Sequence, residues 1–329
     1  MPRLLATDLD GTLVFRHGAD RADARALAAW RAGGDLLALA TGRSVGLVRR
    51  AVDAVAASTG VTLGYDYVVC ASGTTVLDGA GRVLRTRTLE PGQVAAVAEL
   101  VMGRGDTALF ASTLDRDLVL HDPTGFGDDP RVYADHFSAA TLAQALEASV
   151  VALPVYVPDP DLADALAARI EAELGLAAPR STNFIDVVAP GESKAVGLRR
   201  LIEHLSGRGT PVSETIALGD SWNDLPLFEA CDRSFAMAHA PPAGAPGRYR
   251  RGRLGGPGPG GARRPAGHPA CTLSRTGQRG AGGGDSATRR PPGTPVRERT
   301  RLVAANRCVA GHWHPGAQGG TRGPRSPWP

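Results

Sequence analysis

Leu4-Leu5-Ala6-Thr7-Asp8-Leu9-Asp10-Gly11-Thr12 is the stretch on which the fold turns. A short apolar run that ends in aspartate suits a buried parallel strand, Leu4–Thr7, with a loop at its carboxyl end. Alternation along an extended segment puts Asp8 and Asp10 on one side, where open α/β sheets place their ligands. At about 4 Å and an effective dielectric of about 20, two carboxylates repel by roughly 4 kcal/mol. Such a pair calls for a proton, a metal or an opposing cation. The plain alternative is an Asp-rich turn in which Gly11 supplies a positive φ.

The pattern repeats outward from this strand. Asp20 can cap a helix that runs to Ala32 and stops at Gly33-Gly34. Leu36–Ala40 is the next strand, and Ser44 can cap a helix with Leu47, Val48, Val52 and Val55 on one face. Tyr67–Cys70 is a third buried strand. Strands alternating with amphipathic helices predict an α/β fold, a doubly wound parallel sheet of the Rossmann-like kind. From about Arg85 the texture changes to an α+β unit. Helical runs at Val94–Val101, Leu142–Leu146 and Leu162–Leu174 alternate there with strand candidates Ala108–Ala111, Leu118–Leu120, Val151–Val157 and Phe184–Val188. The first pattern resumes at Lys194, with a helix through Leu205. A strand Thr215–Leu218, a short helix Asp224–Cys231 and a last strand Ser234–Met237 follow.

Polar residues gather at the predicted strand ends. Gly219-Asp220-Ser221-Trp222-Asn223-Asp224 brings two further carboxylates and an amide, hard oxygen donors that suit Mg²⁺ better than zinc. An Asx turn capping the next helix explains the same residues more modestly. Thr41-Gly42-Arg43 offers a hydroxyl and backbone amides of the kind that hold phosphate oxygens. Lys194 is the single lysine in the chain, beside 36 arginines. A lysine kept where arginine has been used everywhere else fits a task needing a compact ammonium charge. In a doubly wound sheet all four features converge on one crevice, and together they are equipment for phosphoryl transfer.

The charge is unevenly spread. The 329 residues carry a formal +4, yet residues 241–329 hold 16 arginines against Asp285 and Glu298, a balance of +14, and the first 240 residues carry −10. That tail contains 20 Gly and 14 Pro. It lacks apolar periodicity apart from Arg301–Ala310, so it cannot bury enough surface to offset its ordering entropy, and disorder is expected from about residue 244. A basic arm for polyanions, a flexible extension and translation in a shifted frame are the three explanations. The arm would bind nucleic acid only non-specifically, having no interleaved aromatics. Four scattered cysteines without a CxxC pair argue against a disulfide framework or a zinc cluster. Neither a membrane span nor a secretory signal is recognisable, so the expected setting is the cytoplasm.

DLDGT, ATGR, GESKAVGL and GDSWNDLPLFEA stand in an order and spacing that resemble the haloacid dehalogenase-like phosphohydrolases, most of all the Cof-type branch with its type IIB cap. The resemblance covers about Met1 to Ala243. It implies a core over residues 1–84 and 190–243, an inserted cap over 85–189 that governs substrate specificity, and the tail at 244–329. It implies a Mg²⁺-dependent phosphatase for a small soluble phosphate monoester, a sugar phosphate or phosphorylated cofactor. By the same resemblance Asp8 is the nucleophile that becomes an aspartyl-phosphate, and Asp10 is the acid that then serves as base. Thr41, Gly42 and Lys194 hold the phosphoryl group. Mg²⁺ is bound by Asp8, the carbonyl of Asp10 and Asp220, with Asn223 and Asp224 in support.

Departures from the family pattern are equally informative. Ser72-Gly73 stands where relatives carry Asn-Gly, and Ala238-His239 where they carry Gly-Asn; His239 is read as a loop residue. Gly, Pro and Arg replace the closing strand and helix of relatives, which predicts an uncovered sheet edge. Ser181, Thr182 and Asn183, at the return of the cap, are weak substrate candidates, as is Ser72. Two other functions fit the chain: a sugar phosphomutase of the same superfamily, and a non-catalytic polyanion binder acting through the tail.

Overall fold

The computed structural model describes residues 1–15, 18–127 and 136–240. Its first half alternates strictly: β1 (Leu4–Thr7), α1 (Arg21–Ala32), β2 (Leu36–Ala40), α2 (Val45–Thr59) and β3 (Tyr67–Cys70). A hairpin of β4 (Thr75–Asp78) and β5 (Val83–Thr86) follows. After an insertion the alternation resumes with α6 (Lys194–Gly207), β11 (Thr215–Gly219), α7 (Leu225–Ala230) and β12 (Arg233–Ala236). These strands form a seven-stranded sheet in the order β12-β11-β1-β2-β3-β4-β5. β12 through β3 run parallel, whereas β4 and β5 extend the sheet antiparallel.

Register decides what meets at the strand ends. Thr7 lies level with Leu218 on one side and Leu39 on the other, so Asp8 emerges between the exits of β11 and β2. The two faces of the sheet are packed separately, as double winding requires. Leu5, Leu37 and Leu39 pack with Leu27, Trp30, Val48 and Val55 of α1 and α2. Leu4, Ala6 and Ala38 pack with Leu198, Leu201, Leu205 and Phe228 of α6 and α7. Local chemistry sets the helix starts. Asp20 accepts from the Ala22 N–H at 2.7 Å, and Ser44 from the Leu47 N–H at 3.2 Å.

The insertion contains α3 (Pro91–Val101), β6 (Ala108–Ser112), β7 (Asp117–His121), β8 (Phe137–Ala139), α4 (Leu142–Leu146), β9 (Leu153–Tyr156), α5 (Pro160–Leu174) and β10 (Phe184–Val187). Its five strands pair in the order β10-β9-β6-β7-β8, antiparallel except for β7 with β8. Alternation sorts the two faces. Leu109, Ala111, Val155, Ile185 and Val187 join Val97, Val101, Leu166 and Ile170 in the core beneath the helices. Phe110, Tyr156 and Phe184 point the other way, where Phe126 stacks on Tyr156 with centroids 4.1 Å apart and Leu47 of α2 packs against the group. Arg85 on β5 and Glu192 before α6 clasp the outgoing and returning chain with a bidentate ion pair at 2.9 and 2.5 Å.

Three features differ from the sequence expectation. The parallel sheet carries an antiparallel hairpin that apolar-run reading passed over. Its turn is held by the Asp78 carboxylate, which accepts from the backbone of Ala80 and Arg82. The expected junction between residues 84 and 85 falls inside β5, which stays with the seven-stranded sheet to Thr86. β8 had no apolar signature, since its Ser138 and Ala139 are exposed. Among the described residues β12 is the last strand on its side of the sheet; all four of its residues are exposed, and Phe235 is 48% exposed. The tail expected to be disordered lies outside the described residues.

Leu201 is fully buried between α6 and the sheet. Leu201→Ala is expected to lower unfolding free energy by about 2–5 kcal/mol. Urea denaturation midpoints at constant m-value check this.

Candidate active site

The carboxyl ends of β1, β2, β3 and β11 and the start of α6 gather the candidate residues into one crevice. Lys194 opens α6 with its side chain 1% exposed. Its Nζ donates to Asp8 Oδ1 and to Asp224 Oδ1, both at 2.7 Å, and approaches Asn223 Oδ1 at 3.4 Å. Burial alone would lower the Lys194 pKa, but Asp224 and Asp8 overcome that and hold it above its ordinary value. Burial pushes Asp8 well above the usual carboxylate range, reinforced by Asp224 and Asp10, while Lys194 pulls the other way.

Asp224 is fully enclosed, and its second oxygen accepts the backbone N–H groups of Asp220 and Ser221 at 3.0 and 3.1 Å. The Gly-Asp-Ser-Trp-Asn-Asp turn is thus wrapped around its own last carboxylate. Asp220, freed to face the crevice, reaches Gly11 so closely that a Cβ there would lie 2.1 Å from its Oδ2. Gly11 also has φ +75°, as a turn residue of this kind requires. Burial, then Asp224, push Asp220 up to about 6.

Asp8, Asp220 and Asp224 each offer a carboxylate oxygen within 4.8 Å of the others. One ammonium cannot neutralise three such groups, and the donors are hard oxygens, so the cluster fits a divalent cation such as Mg²⁺. Asp224 already spends both oxygens on Lys194 and the backbone, so Asp8 and Asp220 are the side chains able to turn toward an ion. His239, expected to be a loop residue, does sit in a loop, but its Nε2 is 3.6 Å from Asp220 Oδ2.

Thr41 is buried at the exit of β2, and its Oγ accepts from the Arg43 N–H at 3.2 Å. The Thr41-Gly42-Arg43 motif by itself assigns no task to Arg43. Its guanidinium grips Asp10 bidentately, Nε to Oδ2 at 2.7 Å and Nη2 to Oδ1 at 2.6 Å. Ser72 follows β3 with φ 51° and ψ 31°, and Ala71 before it also has positive φ. Non-glycine residues held there cost about 1–3 kcal/mol each, and such strain collects at functional sites.

Sequence reasoning missed Asp186. This residue of β10 reaches across from the five-stranded sheet, accepts from Ser72 Oγ at 2.7 Å, and lies 2.2 Å from where a Cβ on Gly42 would stand. Gly42 is therefore required by the space Asp186 takes. Asp186 is buried, and that burial raises it to about 6 against the opposing influence of Ser72 and Lys194. The available signal was a lone aspartate among apolar strand residues, Phe-Ile-Asp-Val-Val. Asn183 stands three residues earlier, about 10 Å back along the strand direction, where its carbonyl accepts from the Val157 N–H. Asp8, Lys194, Asn223 and Asp224 are joined directly by hydrogen bonds, and Ser181, Thr182 and Asn183 lie outside that network.

Comparison with known proteins gives the family of the chain. A family model described as haloacid dehalogenase-like hydrolase matches residues 5–244, and the chain belongs to that family, in its Cof-type branch. A Bacillus subtilis (strain 168) protein named "Putative phosphatase YxeH" is 27% identical over 263 residues, covering 74% of this chain and 89% of its own. Among solved structures, a haloacid dehalogenase-like hydrolase from B. subtilis superposes with TM-score 0.61 at 20% identity, covering 72% of this chain and 90% of its own. A HAD subclass IIB sugar phosphatase, BT4131, gives TM-score 0.57 at 18% identity, with 71% and 93% covered. Both structures share the fold. Among the described residues no helix is long and apolar enough to cross a membrane.

Asp186 is protonated in the folded protein up to about pH 6 and in the unfolded chain only up to about pH 4. Between those values the folded state holds the extra proton, so the contribution of Asp186 to stability is fully present below about pH 4 and is lost as pH rises through about 6. Asp186→Asn should flatten that part of the profile, read from thermal unfolding across pH 4–7.

Proposed function

We propose that the protein is a Mg²⁺-dependent phosphatase that hydrolyses a small phosphate monoester, a sugar phosphate or phosphorylated cofactor, through an aspartyl-phosphate. The observation that carries this reading is Lys194 Nζ lodged 2.7 Å from Asp8 Oδ1 beside the Asp220 and Asp224 carboxylates. Lys194 fixes one oxygen of Asp8 and directs the other toward the crevice for attack on phosphorus. When bound by Asp8, Asp220 and the Asp10 carbonyl, Mg²⁺ supplies the charge that offsets the anionic ester and the nucleophile.

The remaining steps belong to the chain's own groups. Thr41 Oγ, the Gly42 amide and Lys194 hold the phosphoryl oxygens. Asp10, once its bidentate contact with Arg43 opens and it takes up a proton from solvent, gives that proton to the departing alkoxide and then takes one from the water that opens the phospho-enzyme. Splitting the hydrolysis into two displacements at one phosphorus suits a reaction whose uncatalysed rate is extremely slow. The five-stranded unit acts as the cap over residues 87–189, and Asp186 with Ser72 faces the leaving group with hydrogen-bonding capacity for hydroxyls. Spare carboxylates at that end favour a polar, hydroxylated leaving group.

Asp8→Asn, which keeps the shape of the side chain, is expected to reduce p-nitrophenyl phosphate turnover by more than about a thousandfold, with the melting temperature retained. Chelation should abolish turnover and added Mg²⁺ restore it. Undiminished hydrolysis by purified Asp8→Asn would remove the nucleophile assignment. Isomer formation from a sugar phosphate without free phosphate would replace hydrolysis by mutase chemistry.

A further inference from the structure

A second acidic contact joins the five-stranded unit to the crevice, and no step above uses it. Asp117, the first residue of β7, is 2% exposed. Its Oδ2 accepts from Ser44 Oγ at 2.5 Å and lies 2.6 Å from His136 Nε2. Its Oδ1 is buried without a hydrogen-bond partner. Ser44 immediately follows Arg43 and is the N-cap of α2, accepting from the Leu47 N–H at 3.2 Å. That hydroxyl is fully used, with its proton on the carboxylate and a lone pair on the helix.

The carboxylate also supplies something α2 lacks. No acidic residue lies in the first turn of this 15-residue helix. Asp117 brings a negative charge to that amino end from another part of the fold, where the helix dipole favours it. The ring of His136 covers the same turn so closely that a Cβ on Gly46 would lie 2.9 Å from its Cε1. An alanine would suit the helix better by propensity, so the glycine answers to the docked ring.

We infer that Asp117 is a positioning residue: by accepting from Ser44, with His136 closing over Gly46, it registers the five-stranded unit on the loop that carries Thr41 and Arg43. Docking and alignment of that loop are then one event. The anchor ends one residue from the guanidinium that aims Asp10. Separation of the unit must break a charge-assisted hydrogen bond, one of the stronger kinds available. The buried Oδ1 without a donor makes the docked state costly to hold, which keeps the contact reversible for product release. This inference rests on the phosphatase reading for its kinetic consequence but not for the contact itself.

The test compares Ser44→Ala, Asp117→Ala, the double variant, Asp117→Asn and Gly46→Ala in the full chain. With p-nitrophenyl phosphate and Mg²⁺, each single alanine variant is expected to raise KM about tenfold or more while kcat changes less than about threefold. The double variant should fall well short of the product of the two single effects, because both ends belong to one bond and Ser44→Ala adds only the loss of the α2 cap. Asp117→Asn keeps an acceptor for Ser44 and should recover most of the loss. Gly46→Ala should reproduce the rise in KM by displacing His136. Additive effects in the double variant, or a fall in kcat at constant KM, would overturn the inference. Amide exchange over residues 45–48, measured without substrate, separates the two readings. Faster exchange in Asp117→Ala but not Asp117→Asn supports the contact even if the wild type proves inactive on phosphate esters. Unchanged exchange in Asp117→Ala overturns it whatever the activity.

Discussion

Lys194 between Asp8 and Asp224 is the interaction on which the rest of the site depends. Its ammonium is buried with two carboxylates at 2.7 Å, in surroundings where any one of these charges alone would be strongly disfavoured. Removing one member of such a buried set leaves an uncompensated charge at a cost of about 3–5 kcal/mol. The ion pairs join the start of α6 to the exits of β1 and β11, which are 30 or more residues apart in sequence. The same contacts leave Asp220 directed toward the crevice, since Asp224 satisfies the turn that carries it.

Charge bookkeeping explains the division among the acids. Asp224 has both oxygens committed and acts as scaffold. Asp8 and Asp220 are both raised by burial, then by the neighbouring Asp224 and Asp10. Asp10 is held by Arg43 at the more exposed side of the crevice. Four aspartates in one pocket thus serve different ends because each meets a different partner.

The five-stranded unit contributes through acidic side chains as well. Asp186 lands on Gly42 and Ser72, Asp117 on Ser44, and His136 over Gly46. All of these contacts fall on the exits of β2 and β3. The loop that presents Thr41 is therefore shaped from two directions, by the sheet that carries it and by the unit docked above. The left-handed Ala71–Ser72 pair fits this arrangement, because that backbone turns the Ser72 hydroxyl toward Asp186.

Much of this was already determined by the sequence. Apolar runs ending in Asp8, Thr41 and Asp220 marked strands β1, β2 and β11, since a strand buried on both faces must be apolar and its ligand groups can only follow its end. Caps at Asp20 and Ser44 are local hydrogen bonds and were equally legible, as was the singular Lys194. The β4–β5 hairpin was not, because Thr75 and Asp78 in one strand and Arg85 and Thr86 in the other break up its apolar residues. Arg43 on Asp10, Asp186 on Ser72 and Asp117 on Ser44 were not legible either. Each joins residues 33 to 114 positions apart, and nothing in a local pattern specifies which distant carboxylate a given donor will meet. The pairing of β1 with β2 decided the first, and the docking of the five-stranded unit decided the other two.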